Sequence, residues 1–229
     1  MGEGGQSLAS LGLEQDEPGT HFNRVSPHTG NETMTEPALN ITIRKATPDD
    51  AEALAELINF AGEGLPLYLW ERMAEDGETP WDVGRRRARR EEGGFSYRNA
   101  IVSEVDSKVA GCLIGYPNPD EPEEIDTDTM PPMFVPLQEL ENLAPGSWYV
   151  NVLAAYPEYR GKGLGTALLD VAQQKAAQAG SKGLSIIVSD ANSPARRLYE
   201  RCGYTEIAMR EMVKDDWVNE GLNWVLLVK

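Results

Sequence analysis

A glycine-rich segment between an apolar strand and a helix constrains this chain more than any other part of its sequence. Residues 160–166 read Arg-Gly-Lys-Gly-Leu-Gly-Thr. The apolar run 148–155 before them predicts a buried strand. Behind them, apolar residues at helical spacing predict a helix over 164–179, with a buried face of Leu164, Leu168, Val171 and Ala172.

The glycine loop has the chemistry of a phosphate site. The first N–H groups of a helix have no partner within the helix, and the helix dipole makes that end slightly positive. Glycine lets a phosphate approach the backbone, and Arg160 and Lys162 add positive charge beside it. The alternative interpretation is a tight strand-to-helix turn with incidental basic residues.

Two better-known phosphate motifs do not fit these residues. A Walker A loop needs four residues between its first glycine and a Gly-Lys-Ser/Thr run, and that spacing is missing. A dinucleotide-binding fingerprint needs a third glycine where Thr166 stands, and an acidic residue about 20 positions on, where Ser185 lies. The loop therefore belongs to another class of site.

Two sequence blocks together resemble the GNAT N-acetyltransferases. Residues 153–165, Leu-Ala-Ala-Tyr-Pro-Glu-Tyr-Arg-Gly-Lys-Gly-Leu-Gly, are similar to motif A of that family. Residues 192–204, Asn-Ser-Pro-Ala-Arg-Arg-Leu-Tyr-Glu-Arg-Cys-Gly-Tyr, are similar to its motif B. The resemblance implies the α/β GNAT fold, a mixed twisted sheet with helices on both faces. It also implies a splay between the two central strands, 148–155 and 184–189, with the cofactor in that splay.

The resemblance further implies acetyl-CoA as co-substrate, no metal, and transfer of the acetyl group to a primary amine in a ternary complex. The pyrophosphate would be held by Arg160, Gly161, Lys162, Gly163, Leu164, Gly165 and Thr166. The strand before the loop would carry a bulge, and the backbone there would bind the pantetheine arm and the acyl carbonyl through Leu153, Ala154 and Ala155. A valine is commoner in the family at the position of Ala155.

Motif B would supply the remaining site residues. By resemblance, Asn192 hydrogen bonds the cofactor arm, Ala195 lines the cofactor site, and Tyr199 protonates the leaving thiolate as a general acid. Asn192 has a structural alternative as a helix cap and Tyr199 as a core aromatic. For Ala154 and Ala155 the alternative is simple core packing. The resemblance aligns Asn151 with a position at which an acid is found in other members, and Asn cannot be a base. We therefore expect a water relay or an acid from elsewhere to deprotonate the amine.

The histidine content limits the available chemistry. The chain has two histidines, His21 and His28, and both lie in residues 1–39, a polar segment that we predict to be a disordered tail. Residues 40–229 form the predicted acetyltransferase domain and contain no histidine. A Ser-His-Asp triad, a Cys-His pair and a histidine-ligated metal are then excluded from the domain. Met34 is an alternative start, although an ordinary residue is the simpler interpretation.

Charge and hydropathy limit the classes of molecule that this chain is expected to bind and the compartment in which it is expected to act. The net charge of −16 and pI near 4.5 disfavour nucleic acid, which needs a positive surface. No apolar run is long enough to span a membrane and no secretory signal is visible, so a cytoplasmic protein is expected. Cys112 and Cys202 are interpreted as reduced core residues. The segment 120–128 contains six acids, and the resemblance implies that acceptor sites often border this region. If the loop lies at the edge of the acceptor cleft, its charge favours a cationic amine as acceptor; the alternative interpretation is a solvated surface loop. A homodimer is one assembly that the sequence allows.

Two further features have ordinary interpretations. The basic run Arg85, Arg86, Arg87, Arg89 and Arg90 is expected to be a solvated helix face paired with the protein's own acids. Ser193 is predicted to cap a helix that begins at Pro194. Two alternatives to an active acetyltransferase remain: a different nucleotide-cofactor enzyme such as a methyltransferase, and an inactive acyl-CoA-binding sensor or scaffold.

Overall fold

A computed structural model describes residues 40–229. The predicted tail over 1–39, its two histidines and the alternative start at Met34 lie outside the described residues. Within 40–229 no helix is long and apolar enough to cross a membrane.

The secondary structure alternates between strands and helices. The strands are β1 (Ile41–Lys45), β2 (Ala100–Val105), β3 (Lys108–Pro117), β4 (Trp148–Ala155), β5 (Leu184–Ser189), β6 (Thr205–Glu211) and β7 (Asn223–Val228). The helices are α1 (Ala51–Ala61), α2 (Leu65–Met73), α3 (Pro80–Ala88), α4 (Val135–Glu141), α5 (Leu164–Ala179) and α6 (Ser193–Arg201). The predicted strand 148–155 and helix 164–179 are confirmed with the same bounds.

All seven strands join one mixed sheet in the order β1-β2-β3-β4-β5-β7-β6. Its neighbours are antiparallel except β4 and β5, which run parallel. A strand followed by a helix and a parallel strand needs such a crossover, which α5 supplies. The predicted mixed sheet with helices on both faces is confirmed.

The two faces of the sheet have separate cores. One face packs against α5 and α6 through Leu168, Ala172 and Tyr199, which share a cluster with Val150 and Ile186. The other face carries α1 and α3 over its first half, and α4 over its second half. Because β4 is central, its side chains contribute to both cores, and its carboxyl end lies between the two layers.

The helices begin at residues that can cap them, but the predicted cap of one helix needs correction. Thr47 and Asp50 form the reciprocal capping box that opens the turn before α1. For α6 the predicted cap Ser193 is wrong: the cap is Asn192, whose side-chain oxygen accepts from the Ala195 N–H at 3.2 Å. Asn accepts this bond as well as Ser does, so the sequence did not distinguish the two positions.

The cysteine and arginine interpretations agree with the structure where contacts test them. Cys112 is fully buried, Cys202 is partly buried, and neither forms a disulfide within the described residues. Burial raises the pKa of the Cys112 thiol. Arg85 and Arg86 pair with Asp82 and Glu78 at 2.8 and 3.0 Å. This part of the basic run is therefore an ordinary charged helix face.

Candidate active site

The parallel pair β4 and β5 separates along its length. The two strands pair only from Trp148 to Val150, against Leu184 to Ile186, although β4 continues to Ala155 and β5 to Ser189. On its other side β4 remains paired with β3 as far as Ala155. The expected splay is thus present, and it leaves one edge of β4 available for a ligand.

A bulge in β4 marks the point where the strands part. Ile114 of β3 pairs with Val152, and the next residue, Gly115, pairs with Val150, so Asn151 is the extra residue. The bulge therefore lies at Asn151, two residues before the segment 153–155 that was expected to bind the cofactor arm.

The alternation of the strand shows which backbone groups face the splay. Tyr156 donates its N–H to the Ala110 carbonyl of β3 at 2.9 Å. Backbone groups alternate along a strand, so the N–H and C=O groups of the even-numbered residues in this part of β4 also point toward β3. Leu153 and Ala155 then direct their N–H and C=O groups into the splay. Ala154 faces β3 instead, since its carbonyl oxygen lies close to Gly111. Of the three expected backbone partners, two are oriented toward a ligand in the splay.

The glycine loop sits at the same end of β4. After a short 3₁₀ turn the chain passes Gly161 with φ +74° and Gly163 with φ +85°, and Gly163 is the N-cap of α5. These left-handed conformations favour glycine. A β-carbon built at either position meets no atom within 4 Å, so the space above the loop is open. The exposed N–H groups of the first turn of α5 can therefore meet an anion.

Gly165 has a different role from the other two glycines. A β-carbon there would lie 2.7 Å from Leu198 Cδ2, so this glycine allows α5 to pack closely against α6. Its neighbour Leu164 is buried and Thr166 is exposed. The glycine spacing thus combines two open loop positions with one helix-packing position.

The two basic side chains of the loop are exposed. Arg160 turns back toward β4, where its Nε donates to the Ala155 carbonyl oxygen at 3.1 Å. Lys162 lies with its Nζ 5.6 Å from the Tyr159 ring centroid. Arg160 therefore occupies the backbone group that a ligand in the splay would also use.

Asn192 and α6 form the opposite wall. Asn192 caps α6 with its side-chain oxygen and donates from Nδ2 to Glu63 Oε1 at 2.7 Å. Ala195 packs against the same core cluster as Leu153. The helix-cap interpretation of Asn192 is confirmed, and its amide also links the start of α6 to the turn after α1.

Tyr199 is buried in this wall. Only 5% of its surface is exposed, and its ring lies 5.9 Å from the Tyr204 ring. Burial raises the pKa of its hydroxyl, with smaller contributions from Tyr204 and from the negative charge of Glu63. The phenol therefore keeps its proton at neutral pH, as a proton donor must, while it also belongs to the core.

Sequence reasoning missed Glu63, in the turn between α1 and α2. Its two carboxylate oxygens accept from the side-chain amides of Asn192 and Asn219, each at 2.7 Å. Asn219 lies in the loop between β6 and β7, so three distant segments meet at one carboxylate. A signal was present in the flanking glycines of Gly62-Glu63-Gly64, but the partners lie more than 120 residues away.

The acidic loop 120–128 starts at the opposite end of β4. It follows β3, whose last residue Pro117 pairs with Trp148, the first residue of β4. Glu123 is fixed there by Asn142, which accepts from its N–H and donates to its carbonyl. The loop is therefore one strand length away from the glycine loop along β4.

Comparison with protein families gives one match. The model described as the acetyltransferase (GNAT) family matches residues 66–204, more than half of the 229 residues. The matched segment includes the glycine loop, both strands of the splay and Tyr199. The comparison with curated proteins returned no match.

Solved structures share the fold. An N-acetyltransferase from Staphylococcus aureus Mu50 is 21% identical, with a TM-score of 0.59 over 82% of this chain and 100% of that chain. A mosquito arylalkylamine N-acetyltransferase like 5b is 22% identical, with a TM-score of 0.57 over 83% of this chain and 99% of that one. Ard1 from Thermoplasma volcanium is 15% identical, with a TM-score of 0.51 over 82% and 96%.

Proposed function

The chain belongs to the GNAT acetyltransferase family, and we propose that it transfers an acetyl group from acetyl-CoA to a primary amine within a ternary complex. One observation carries this proposal. Beyond Val150, β4 separates from β5, and the glycine loop opens α5 at the same end of the strand. A backbone edge and a helix N-terminus thus face one cleft, which suits a ligand with an amide-containing arm and a pyrophosphate.

The residues present fit acetyl-CoA. The loop 160–166 would hold the pyrophosphate through N–H groups, with charge from Arg160 and Lys162. Leu153 and Ala155 would pair with the arm through their backbone groups, and Asn192 would bind it through its amide. Arg160 would leave the Ala155 carbonyl when the arm takes its place.

Acetyl-CoA would supply the acetyl group as an activated thioester. The protein's part in the reaction is then to align a neutral amine with the acyl carbon and to protonate the leaving sulfur. The new C–N bond forms, the C–S bond breaks, the amine loses a proton, and Tyr199 gives its proton to the thiolate. The phenolate formed recovers a proton from solvent before the next cycle.

The acceptor in this proposal is a cationic primary amine. The chain carries a net charge of −16, and six acids lie in the loop 120–128. This field attracts cations and repels anions at a distance.

Two measurements test the proposal. Acetyl-CoA at about 100 times its Kd should stabilise the fold by about 2.7 kcal/mol, which raises Tm by roughly 5–10 °C for a domain of this size. A panel of amines, including spermidine, lysine and phenylethylamine, should then give amine-dependent release of a free thiol. A thermal shift without thiol release from any amine would favour the inactive sensor, and no thermal shift would refute the cofactor assignment.

A matched pair of variants isolates the glycine loop. Gly163→Glu should remove the thermal shift because it places a carboxylate at the proposed pyrophosphate site. Gly180→Glu is the control, because Gly180 caps the other end of α5 with φ +67° and equally open space. It carries the same added charge and a similar backbone strain, so its thermal shift should match that of the wild type.

A further inference from the structure

We infer that Glu63 is the base of this site and accepts the proton of the attacking amine. The inference rests on the proposed function, and it names the group that sequence reasoning left unidentified. Four independent features of the described residues support it: the position of the carboxylate, its amide partners, its strained backbone and its unpaired charge.

The position places Glu63 at the mouth of the splay. Its Oε1 accepts from Asn192, which follows β5 and caps α6. The proposed proton donor, Tyr199, lies on that same helix, and the charge of Glu63 reaches its hydroxyl. A base and an acid therefore lie on one cleft, as a reaction that removes one proton and delivers another requires.

The two hydrogen bonds fix the carboxylate but leave it able to accept more. Asn192 and Asn219 each donate one amide N–H, while an ionised carboxylate offers about four lone-pair sites. Asn219 is itself fixed, because its Oδ1 accepts from the Gly221 N–H at 2.6 Å and its carbonyl oxygen from Lys214 Nζ at 2.8 Å. This network orients the carboxylate before an amine arrives.

The backbone at Glu63 is strained. Its φ is +51°, in the left-handed region that costs a residue with a β-carbon roughly 1–2 kcal/mol. Asn and Asp tolerate this region better than Glu, so the conformation is not explained by local preference. Strain of this kind is concentrated at functional sites, where the surrounding structure holds a side chain in place.

The charge of Glu63 is not neutralised by a cation. Within residues 40–229 its carboxylate forms no salt bridge, and both of its side-chain partners are neutral amides. Two charged groups lie in the segments that surround this network: Asp190, which accepts from the Leu222 N–H, and Lys214, which donates to the Asn219 carbonyl. Tyr199 is a further titratable group close enough for the charge of Glu63 to raise the pKa of its hydroxyl. An ammonium group can therefore pair directly with Glu63.

The proposed step is balanced. The carboxylate takes one proton from the bound ammonium, and the neutral nitrogen then forms the C–N bond as the C–S bond breaks. The protonated carboxyl returns the proton to solvent after product release. Lysine-like amines are almost fully protonated near neutral pH, so this step removes a large barrier to attack.

The test uses Glu63→Gln and the panel amine that the wild type acetylates fastest. At pH 7 we expect kcat/KM to fall by roughly 10²–10⁴-fold, the usual size of a general-base contribution. The deficit should shrink as pH rises, because the variant depends on amine that is already neutral. Acetyl-CoA should still raise Tm in the variant, since the carboxylate does not hold the cofactor.

A second variant distinguishes loss of the carboxylate from loss of the folded structure. Glu63→Asn removes the carboxylate from this position but suits the left-handed backbone, so its stability should be kept while it shows the same pH-dependent deficit. Asp215→Asn is the matched control: Asp215 also has φ +51°, lies in the β6–β7 loop, and accepts from Tyr68 at 2.8 Å. It should keep kcat/KM within about twofold.

The outcomes separate this inference from the proposed function. No thiol release by the wild type with any amine would refute the proposed function, and this inference with it. Wild-type turnover with unchanged activity in Glu63→Gln, or with an equal loss at every pH, would refute the base alone. An equal loss in Asp215→Asn would assign the effect to surface charge and also refute the base.

Discussion

Glu141 is a carboxylate that the fold holds in an unfavourable place. It is the last residue of α4, where the helix dipole disfavours a negative charge. Burial raises the pKa of its carboxyl to about 7, and the nearby charge of Glu123 adds to the effect. Within the described residues no donor hydrogen bonds this carboxylate. We predict that Glu141→Gln stabilises the protein at pH 8.

The magnitude follows from the pKa. One pKa unit corresponds to about 1.4 kcal/mol, so a rise from the ordinary 4.5 to about 7 amounts to roughly 3 kcal/mol. The folded state then binds the proton more tightly than the unfolded state does. The contribution of this group is therefore fully present below about pH 4.5 and is lost as the pH rises to about 7. Roughly 2 kcal/mol of it should be lost between pH 5.5 and pH 8.

The assay compares unfolding of the variant and the wild type at both pH values. Relative to the wild type, Glu141→Gln should gain about 1–3 kcal/mol on going from pH 5.5 to pH 8, or roughly 2–10 °C in Tm. Glu139→Gln is the control on the same helix. Its carboxylate is partly exposed and accepts from Arg210 at 2.6 Å, so it should lose at most about 1 kcal/mol at either pH.

One result would refute this reasoning. If Glu141→Gln changes stability equally at pH 5.5 and pH 8, the carboxylate is ionised at both values, and burial does not control its protonation. Glutamine keeps the volume of the side chain, so a uniform loss would then report only the changed contacts.

Three further predictions test the proposed site, the packing of β3 against β4 and the acidic loop. Tyr199→Phe should keep acetyl-CoA affinity, measured by thermal shift, and lower kcat by roughly 10²–10⁴-fold, whereas unchanged kcat would leave it a packing residue. Gly111→Ala should lower stability by about 1–3 kcal/mol in denaturant unfolding, because its β-carbon would lie 2.6 Å from the Ala154 carbonyl oxygen of β4; an unchanged midpoint would contradict this. If the acidic loop attracts a cationic acceptor, kcat/KM should fall with added salt, and the combined variant Glu121→Gln, Glu123→Gln, Glu124→Gln, Asp126→Asn should lose most of that dependence; equal salt slopes in both proteins would contradict it.

Much of the central fold could be predicted from the sequence because its signals are local. The apolar run of β4 and the glycine loop define their own element bounds, and the periodicity of α5 defines its length. Errors arose where neighbouring residues had similar chemistry. The cap of α6 was predicted at Ser193, but it is Asn192, the residue before it.

The base could not be predicted because its evidence is not local. Glu63 becomes distinctive only when the turn after α1, the end of β5 and the β6–β7 loop meet around it. Nothing in the sequence near Glu63 identifies Asn192 or Asn219 as its partners. The central strands carry Asn151 at the position where a base was expected, and its amide cannot accept the proton.

The bulge at Asn151 links the fold to the site. Before the bulge, Trp148 directs its N–H toward the β5 side, where it donates to the carbonyl of Gly183, the residue that precedes β5, at 2.8 Å. After the bulge, the backbone groups of even-numbered residues face β3 instead, as the N–H of Tyr156 does. The side chains change faces in the same way, since Val150 packs with α5 and Val152 packs with α1.

One extra residue therefore decides which atoms line the splay. With a regular strand, Val152 and Ala154 would turn their backbone groups toward the splay, and Leu153 and Ala155 would face β3. The bulge reverses this assignment at the place where β4 parts from β5. Because of the bulge, the backbone N–H and C=O groups of Leu153 and Ala155 point into the cleft, and their side chains point toward the α5 layer. The glycine loop, the unpaired edge of β4 and the helix that carries Tyr199 can then act on a single ligand.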